Sequence, residues 1–374
     1  MEKHFEYTTL AQRYTARFPL LTYVGTQANF WILANLLLAA VLSLHARLLS
    51  QVLHLPVAGT IGPPLLTAVV LGLVWGVALG LMGYHLDRRI SRSLSLGQEL
   101  LAKALGSVAL IALLVGLLEL ILVDSALVPA LLLPGMALNG QAAKYLFGLL
   151  LLYYSFMSLV ISFINQIHKK YGPGVLVPLL LGRYRDPQEE ERIFLFMDLQ
   201  SSTATAEALG HRQYSAFIRD CFADINEVLF PFEAQVYQYV GDEIVVMWPT
   251  SEGVRNHACI RFFFACQNQF RQRAAHYQTT YGCLPHFKAG IHAGDVSAVE
   301  IGEIKKDIAY HGDTLNTAAR IQSVCNHYQA EFLASEHLLG KMAPDPHLNA
   351  QSLGMVQLRG KAEKIGLVRV DWQE

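Results

Sequence analysis

The sequence predicts a two-part protein: an α-helical transmembrane anchor of four helices, followed by an α+β domain. Apolar residues make up 53% of the chain and charged residues only 16%, whereas ordinary soluble domains carry about 25% charged residues. Four long apolar segments lie in the first half. The second half alternates short strand-like runs with helical patterns, which is typical of an α+β domain.

The four apolar segments are long enough to be transmembrane helices. They run over 22–44 (or as far as 53), 64–84, 104–128 and 143–167. Each is close to the ~20 residues that span the hydrocarbon core of a bilayer. A large buried helical core would also be apolar, but four such runs with almost no charge favour the membrane.

Lysine and arginine predict the orientation of the anchor, because positive charge concentrates on the cytoplasmic side. They precede the first segment, fill the second loop and follow the fourth segment: Lys3, Arg13, Arg17; Arg88, Arg89, Arg92, Lys103; Lys169, Lys170. We therefore expect a multi-pass protein of the cell inner (plasma) membrane with both termini cytoplasmic. Arg47 is the exception, which an interfacial helix over 45–54 with a snorkelling Arg47 would explain.

The domain organisation follows from these segments. We expect a cytosolic N-terminal segment at 1–21, the transmembrane domain at 22–168, a coupling linker at 169–190 and a catalytic domain at 191–374. Gly172 to Gly174 break the fourth helix. The apolar run 175–181 is too short to span, and is either a surface spacer or an element that couples the anchor to the domain through a dimer.

A few polar residues of the anchor leave its role open. His45, His54 and His85 are haem ligands or, more simply, histidines at the membrane interface. Glu119 and Asp124 lie in or near the third segment, where acidic residues are functional candidates, although Asp124 also fits the outer boundary. The sequence does not identify a membrane ligand or partner.

Patterning in the second half gives the element order. We expect strands at 192–199, 235–240, 243–248, 286–292, 295–301, 330–334, 354–359 and 365–371, and helices at 203–228, 253–278 and 313–325. Two glycine-containing turns are expected, Gly241–Asp242 and Ala293–Asp295. The order begins β-α-β-β-α-β, which is the ferredoxin-like arrangement.

Charge and cysteine content exclude some classes of protein. The formal net charge is −1, which argues against a nucleic-acid-binding surface. The five cysteines all lie in the second half without a C-x-x-C pair. That distribution fits reduced thiols in a cytosolic domain better than disulfides or a zinc site.

Two carboxylates are expected to meet at one edge of this domain. Asp198 ends an apolar strand, and Asp242 lies in the turn of the next hairpin. Either one alone is usually a capping or turn residue. Together, on paired strand ends, they favour a site for Mg²⁺ and a nucleoside triphosphate.

Two further motifs carry groups that suit phosphate. Asn316 and Arg320 are four residues apart and share a helix face, which suits a polyphosphate whose charge grows during a reaction. Arg359 and Lys361 flank a glycine in a loop that can reach a phosphate. Each motif alone is also ordinary surface chemistry.

These motifs together resemble the catalytic domain of the class III nucleotidyl cyclases, the adenylyl and guanylyl cyclases, and most closely the bacterial membrane-anchored type. The resemblance covers about residues 190–372. It rests on Phe196-Met-Asp198-Leu, Val240-Gly-Asp242-Glu, the stretch from Gly312 to Arg320, and Arg359-Gly-Lys361.

The resemblance implies a role for each motif. Asp198, Leu199 and Asp242 would form the metal site for two divalent cations (Mg²⁺ or Mn²⁺). Arg320 would stabilise the transition state and Asn316 would position the ribose. The terminal phosphates would contact Lys361 and Arg359. Because this family builds its site from two catalytic domains, the chain would act as a homodimer with two equivalent sites.

Residues that read the base depart from the family pattern. Adenylyl members commonly have Lys where this chain has Gln238, and Asp or Thr where it has Ala309; guanylyl members typically have Glu and Cys. The expected activity is conversion of ATP to cyclic AMP and pyrophosphate, with GTP as the second candidate substrate. Three less favoured functions stay open: a nucleotide-binding receptor with little catalysis, a diguanylate cyclase, and a transporter or haem carrier with an accessory domain.

Overall fold

The computed structural model describes residues 18–54, 62–90, 96–123, 140–171, 182–303 and 306–373. They form two compact units that divide after residue 173. The predicted coupling run 175–181 lies outside the described residues, as do Asp124 and the side chain of Glu119. The expectations for these residues stay predictions.

Four long helices make up the described part of the first unit. They are α1 (Pro19–Leu53), α2 (Gly62–Ile90), α3 (Leu96–Val123) and α4 (Gly140–Tyr171). Helices α1, α2 and α4 each contain one predicted apolar segment, and α3 contains the third segment as far as Val123. Helix α1 runs through 45–53 without a break, and at 1.5 Å per residue its 35 residues extend about 52 Å, well beyond a hydrocarbon core of about 30 Å.

Three helical stretches among the described residues are long and apolar enough to cross a membrane: Leu20–Val52, Leu65–Leu86 and Lys144–Gln166. The third predicted span falls in α3, where the apolar stretch within the described residues is the shorter Leu101–Leu114. Three of the four predicted segments are therefore helices of sufficient length and apolarity to span a membrane, while their membrane role and the span at 104–128 stay predictions.

Small residues and aromatic side chains hold these helices together. A Cβ placed on Gly76 of α2 would lie 2.3 Å from the Cα of Ala28 in α1, so the two backbones touch where glycine leaves room, as is common in membrane helices. Trp31, Trp75 and Tyr154 join α1, α2 and α4 in one buried cluster, with the rings of Trp75 and Tyr154 4.5 Å apart.

The second unit is an α+β domain. Its strands are β1 (Gln188–Leu199), β2 (Gln235–Val240), β3 (Glu243–Pro249), β4 (Phe287–Ile301), β5 (Asp307–His311), β6 (Phe332–Ser335), β7 (Leu348–Val356) and β8 (Ile365–Trp372). Its helices are α5 (Ser202–Leu229), α6 (Thr250–Gly253), α7 (Ala258–Gln272), α8 (Ala274–Tyr281), α9 (Asp313–Ser323) and α10 (Glu336–Leu339), with two short 3₁₀ turns.

The described strands form one mixed sheet in the order β2-β3-β1-β4-β6-β8-β7, with β5 paired to β4. Strand β1 is antiparallel to both β3 and β4, and β2 is antiparallel to β3, whereas β4 and β6 run parallel. This confirms the ferredoxin-like start of the domain, with β1 between β3 and β4. The end of β1 therefore lies beside the β2–β3 turn, as the sequence predicted.

The predicted turn at 293–295 is wrong. Strand β4 continues through it, and Ala293, Gly294 and Asp295 pair with β1. Gly294 is there for a different reason, because a Cβ at this position would lie 2.6 Å from Oγ1 of Thr314. Glycine permits the start of α9 to approach the strand.

Other boundaries also differ from the predictions. The helix expected at 253–278 is divided into α6, α7 and α8, and the break between the last two is at Arg273. The strand expected at 354–359 begins earlier, at Leu348. The patterns did not predict β5 and α10, which are five and four residues long.

The sheet separates two clusters of buried side chains. One face packs against α5, α7 and α8 and carries large residues such as Trp248, Phe262 and Phe287. The opposite face carries a smaller cluster that includes Phe194, Val245, Tyr310 and Ala318 of α9. The second face holds the residues that the sequence assigned to the site.

Candidate functional site

Three charged side chains form a row across the middle of the sheet. Asp198 of β1 is paired with Glu243 of β3 on one side and with Lys288 of β4 on the other. Residues paired in this way project from the same face. The row lies at the end of β1. Because β1 is a long apolar strand, its Asp198 carboxylate lies at the edge of the buried core.

Asp242 and Leu199 adjoin this row. Asp242 occupies the β2–β3 turn directly before Glu243, and is partly exposed. Leu199 follows Asp198, but its side chain is buried in the core on the other face. Of the predicted metal residues, Asp198 and Asp242 therefore offer carboxylates, while Leu199 offers only its backbone.

The acids of this edge repel one another. The pKa of Glu243 is raised to about 7 by burial and by the charges of Asp198 and Asp242, against the opposing effect of Lys288. Burial and then Asp242 also raise the pKa of Tyr214 in α5. Glu243 is thus close enough to both aspartates for their negative charges to act on it.

This donor set fits Mg²⁺ or Mn²⁺ when a nucleotide is also bound. Within the described residues, no three His, Cys, Asp or Glu side chains form a ready-made metal-binding group. Magnesium commonly takes one or two protein carboxylates and completes its shell with water and substrate phosphates. Asp198 and Asp242 match that pattern, and Asp198 is also ion-paired with Lys288, whose Nζ lies 3.3 Å from Oδ2 of Asp198.

Helix α9 carries polar residues of the candidate site on two faces. Gln322 points towards the sheet, where its Nε2 donates to Oδ2 of Asp198 over 3.0 Å. Since successive residues of a helix turn by about 100°, Arg320 lies about 160° and Asn316 about 120° from Gln322. Asn316 is exposed and Arg320 partly so. Within one chain, the residues predicted to bind ribose and phosphate, Asn316 and Arg320, therefore face away from the carboxylates.

The loop between β7 and β8 folds onto the outer part of α9. The Nζ of Lys361 is hydrogen-bonded to a carboxylate oxygen of Asp313 and lies 2.7 Å from Oγ1 of Thr317. A Cβ on Gly360 would lie 3.4 Å from Nη2 of Arg320. The structure thus brings Lys361 and Arg320 to the same end of the domain, while Arg359 is exposed.

The predicted base-reading positions lie on β2 and β5, which β3, β1 and β4 separate in the sheet. A β-bulge in β2 at Tyr237 directs both Tyr237 and Gln238 towards the face that carries Phe194 and Tyr310. The backbone N–H of Tyr310 donates to the Tyr237 hydroxyl at 3.4 Å, so the residues next to Gln238 and Ala309 meet. Gln238 is exposed, whereas Ala309 is buried and paired with Val299 of β4.

Sequence reasoning did not assign Lys288, Gln322, Glu243 or Tyr214 to the site. Glu243 was visible beside Asp242, but its strand register was needed to place it next to Asp198. Lys288 and Gln322 are far from Asp198 in the chain, and nothing local marks them. The pairing of β1 with β4 brings Lys288 to Asp198, and the packing of α9 against these two strands brings Gln322 there.

Comparison with known proteins agrees with this geometry. Residues 186–368 match the family model described as the adenylate and guanylate cyclase catalytic domain. Adenylate cyclase 2 of Rhizobium meliloti (strain 1021) is 35% identical over 208 residues, which are 56% of this chain and 57% of that protein. Adenylate cyclase 1 of the same organism is 24% identical over 190 residues, 48% of this chain and 28% of the relative.

Similarity to a solved structure supports the fold, and nothing beyond the fold. A bacterial light-regulated adenylyl cyclase superposes with a TM-score of 0.50 at 18% identity, over 59% of this chain and 65% of the other. The chain spans little more than half, or less, of the curated relatives that it matches.

Proposed function

The domain of residues 186–368 belongs to the adenylate and guanylate cyclase catalytic-domain family, and from that premise we propose that the chain is a membrane-anchored adenylate cyclase. It would convert ATP to 3′,5′-cyclic AMP and pyrophosphate. The observation that carries the proposal is the placement of Asp198 and Asp242 at the joined ends of β1 and the β2–β3 hairpin, within a domain of this family.

Two divalent cations held by Asp198 and Asp242 would activate the ribose 3′-hydroxyl and neutralise the triphosphate. The protein supplies positioning and charge. Arg320 would lie against the phosphate that reacts, where its fixed guanidinium offsets the growing negative charge. Asn316 would hold the ribose, and Lys361 and Arg359 would hold the terminal phosphates.

The two faces of α9 favour a site shared between two copies of the chain. Gln322 is committed to Asp198 of its own chain, so Asn316 and Arg320 project away from that carboxylate. A second chain related by two-fold symmetry would supply the opposite half of each site. The homodimer is therefore part of the proposal.

ATP is the favoured substrate because the relative with 35% identity is named as an adenylate cyclase. Gln238 carries an amide that both donates and accepts hydrogen bonds, so its exposed side chain suits adenine and guanine alike. The backbone of Ala309 is occupied by its pairing with β4. Base choice then depends on how Gln238 is oriented.

The proposed location is a membrane, with the domain on the cytoplasmic side. Three stretches of described helix meet the length and apolarity that a span requires. The lysines and arginines at their ends predict the orientation. An anchor of this kind would also hold two catalytic domains at high local concentration.

Product analysis tests the catalytic proposal. The purified full chain, in detergent with Mg²⁺ or Mn²⁺, is given ATP and GTP in equal amounts, and the cyclic products are separated by chromatography. Cyclic AMP should dominate, and Asp198→Asn should reduce its formation at least ~100-fold. Glu189→Gln, on the same strand but exposed and remote in register from Asp198, is the control. Absence of any cyclic nucleotide would refute the enzyme.

Mixing two inactive variants tests the shared site. Asp198→Ala lacks a metal ligand, and Arg320→Ala lacks the guanidinium that would contact the substrate phosphate. If each site takes one residue from each chain, exchange of subunits yields hybrid dimers with one intact site, and some activity returns. No recovery, in a mixture where labelled subunits demonstrably exchange, would contradict the shared site.

A further inference from the structure

Asp198 is held by two donors of different charge. Gln322 Nε2 donates to Oδ2 of the carboxylate at 3.0 Å, and Lys288 Nζ lies 3.3 Å from the same oxygen. Within the residues that the structure describes, no hydrogen-bond donor is paired with Oδ1. One oxygen is therefore fixed by the protein, and the other is available to a ligand.

All three side chains are well enclosed. Gln322 is 6% exposed, and the side chains of Lys288 and Asp198 are 13% and 25% exposed. Burial makes these contacts persistent, because neither donor can exchange the carboxylate for water at low cost. Groups of this kind behind a metal ligand commonly control its orientation and affinity.

The two donors act differently because only one is charged. Gln322 fixes the orientation of the Asp198 carboxylate, because its amide holds Oδ2 and leaves Oδ1 for a ligand. Lys288 also orients the Asp198 carboxylate, and in addition it carries a positive charge. That charge offsets the negative charge of Asp198 and Glu243 in the same row. A positive charge beside a metal site opposes the binding of a cation.

We propose that Gln322 and Lys288 are positioning residues that set the metal affinity of this site in opposite directions. Gln322 raises the affinity by presenting Asp198, and Lys288 lowers it by its charge. The inference rests on the proposed function, in which Asp198 is a metal ligand. It makes Lys288 the residue that determines how much divalent cation the enzyme needs.

The experiment measures Mn²⁺ binding by electron paramagnetic resonance on the full chain in detergent. It uses 3′-deoxy-ATP as a nucleotide that cannot cyclise. We expect Gln322→Met to raise the dissociation constant about tenfold, and Lys288→Met to lower it about tenfold. Lys288→Arg, which keeps the charge, should stay within about twofold of the unchanged protein.

Two further measurements separate these roles from a loss of structure. Gln322→Asn keeps the amide but shortens the side chain, and should weaken Mn²⁺ binding as Gln322→Met does. The Mg²⁺ concentration at half-maximal cyclase activity should move with the Mn²⁺ dissociation constant in each variant. A change in the maximal rate alone would indicate a purely structural effect and overturn the inference.

The outcomes distinguish this inference from the proposed function. If Asp198→Asn leaves Mn²⁺ binding unchanged, Asp198 is not a ligand and the metal assignment itself fails. Asp198→Asn weakens Mn²⁺ binding if Asp198 is a ligand. If it does so, but the Gln322 and Lys288 variants leave the Mn²⁺ dissociation constant unchanged or move it in the same direction, Asp198 remains a metal ligand and the opposite roles of Gln322 and Lys288 are refuted.

Discussion

Gly290 is the point where α9 rests on β4, and its replacement by alanine should separate the two. A Cβ at Gly290 would lie 2.2 Å from the backbone N of Gln322 and 2.8 Å from the carbonyl oxygen of Ala318. An ordinary contact requires about 3.5 Å, so α9 would have to move by about 1.3 Å. Backbone atoms of a helix cannot turn aside as a side chain can.

The displacement predicts both a loss of stability and a loss of activity. Overpacking of a well-packed core costs about 1–3 kcal/mol, and we expect about 2–3 kcal/mol because the obstruction is backbone. A shift of about 1.3 Å in the unfavourable direction would also stretch the 3.0 Å bond from Gln322 to Asp198 to roughly 4 Å, beyond hydrogen-bonding distance. A misplacement of about 1 Å can cost about 10²-fold in rate.

Hydrogen–deuterium exchange of the full chain, resolved by peptide, measures this effect where it occurs. Peptides from β4 and α9 of Gly290→Ala should lose protection, and cyclase activity should fall about 100-fold. Gly340→Ala is the control, because a Cβ there would be no closer than 3.4 Å to its nearest neighbour. If the two variants are equally stable and equally active, the close contact between α9 and β4 is not what holds the site.

Two other perturbations test the packing of the domain. Burial lowers the pKa of His292 to about 4; because the unfolded chain takes up the proton near pH 6.5, stability should fall as the pH drops from about 6.5 to 4, by about 3 kcal/mol in total. His292→Gln should flatten this part of a plot of unfolding midpoint against pH, and an unchanged slope would contradict the assignment. Asp224 is fully buried and accepts hydrogen bonds from Arg273 and, at 2.6 Å, from Tyr277. Asp224→Ala should destabilise the domain by about 3–4 kcal/mol in urea unfolding, against about 1 kcal/mol for the more exposed Asp220→Ala; equal losses would show that burial of the charge is not decisive.

Local patterns were sufficient for the elements that carry the acids. The alternation of apolar residues up to Asp198 and the Gly241–Asp242 turn predicted β1 and the β2–β3 hairpin closely, and the structure has them at Gln188–Leu199, Gln235–Val240 and Glu243–Pro249. These signals are strong because each is completed within a few residues of chain. The same holds for the apolar helices of the first unit.

The patterns failed where a distant element decides the local structure. Ala293-Gly294-Asp295 reads as a turn, yet it is the middle of β4, because β1 extends alongside it and Thr314 requires the space that Gly294 leaves. The short β5 also lacks a signal of its own and exists as a partner of β4. Turn propensity was outweighed by pairing.

The sequence by itself determined that the protein has an apolar helical part and an α+β part, and that Asp198 and Asp242 lie at joined strand ends. It also determined that Asn316 and Arg320 share a helix face, because helical spacing is a local property. Only the tertiary structure decided what surrounds Asp198. Lys288 reaches it by the register of β1 with β4, and Gln322 reaches it because Gly290 lets α9 approach the sheet. Contacts between residues so far apart in the chain depend on how strands and helices assemble, and no short pattern records that assembly.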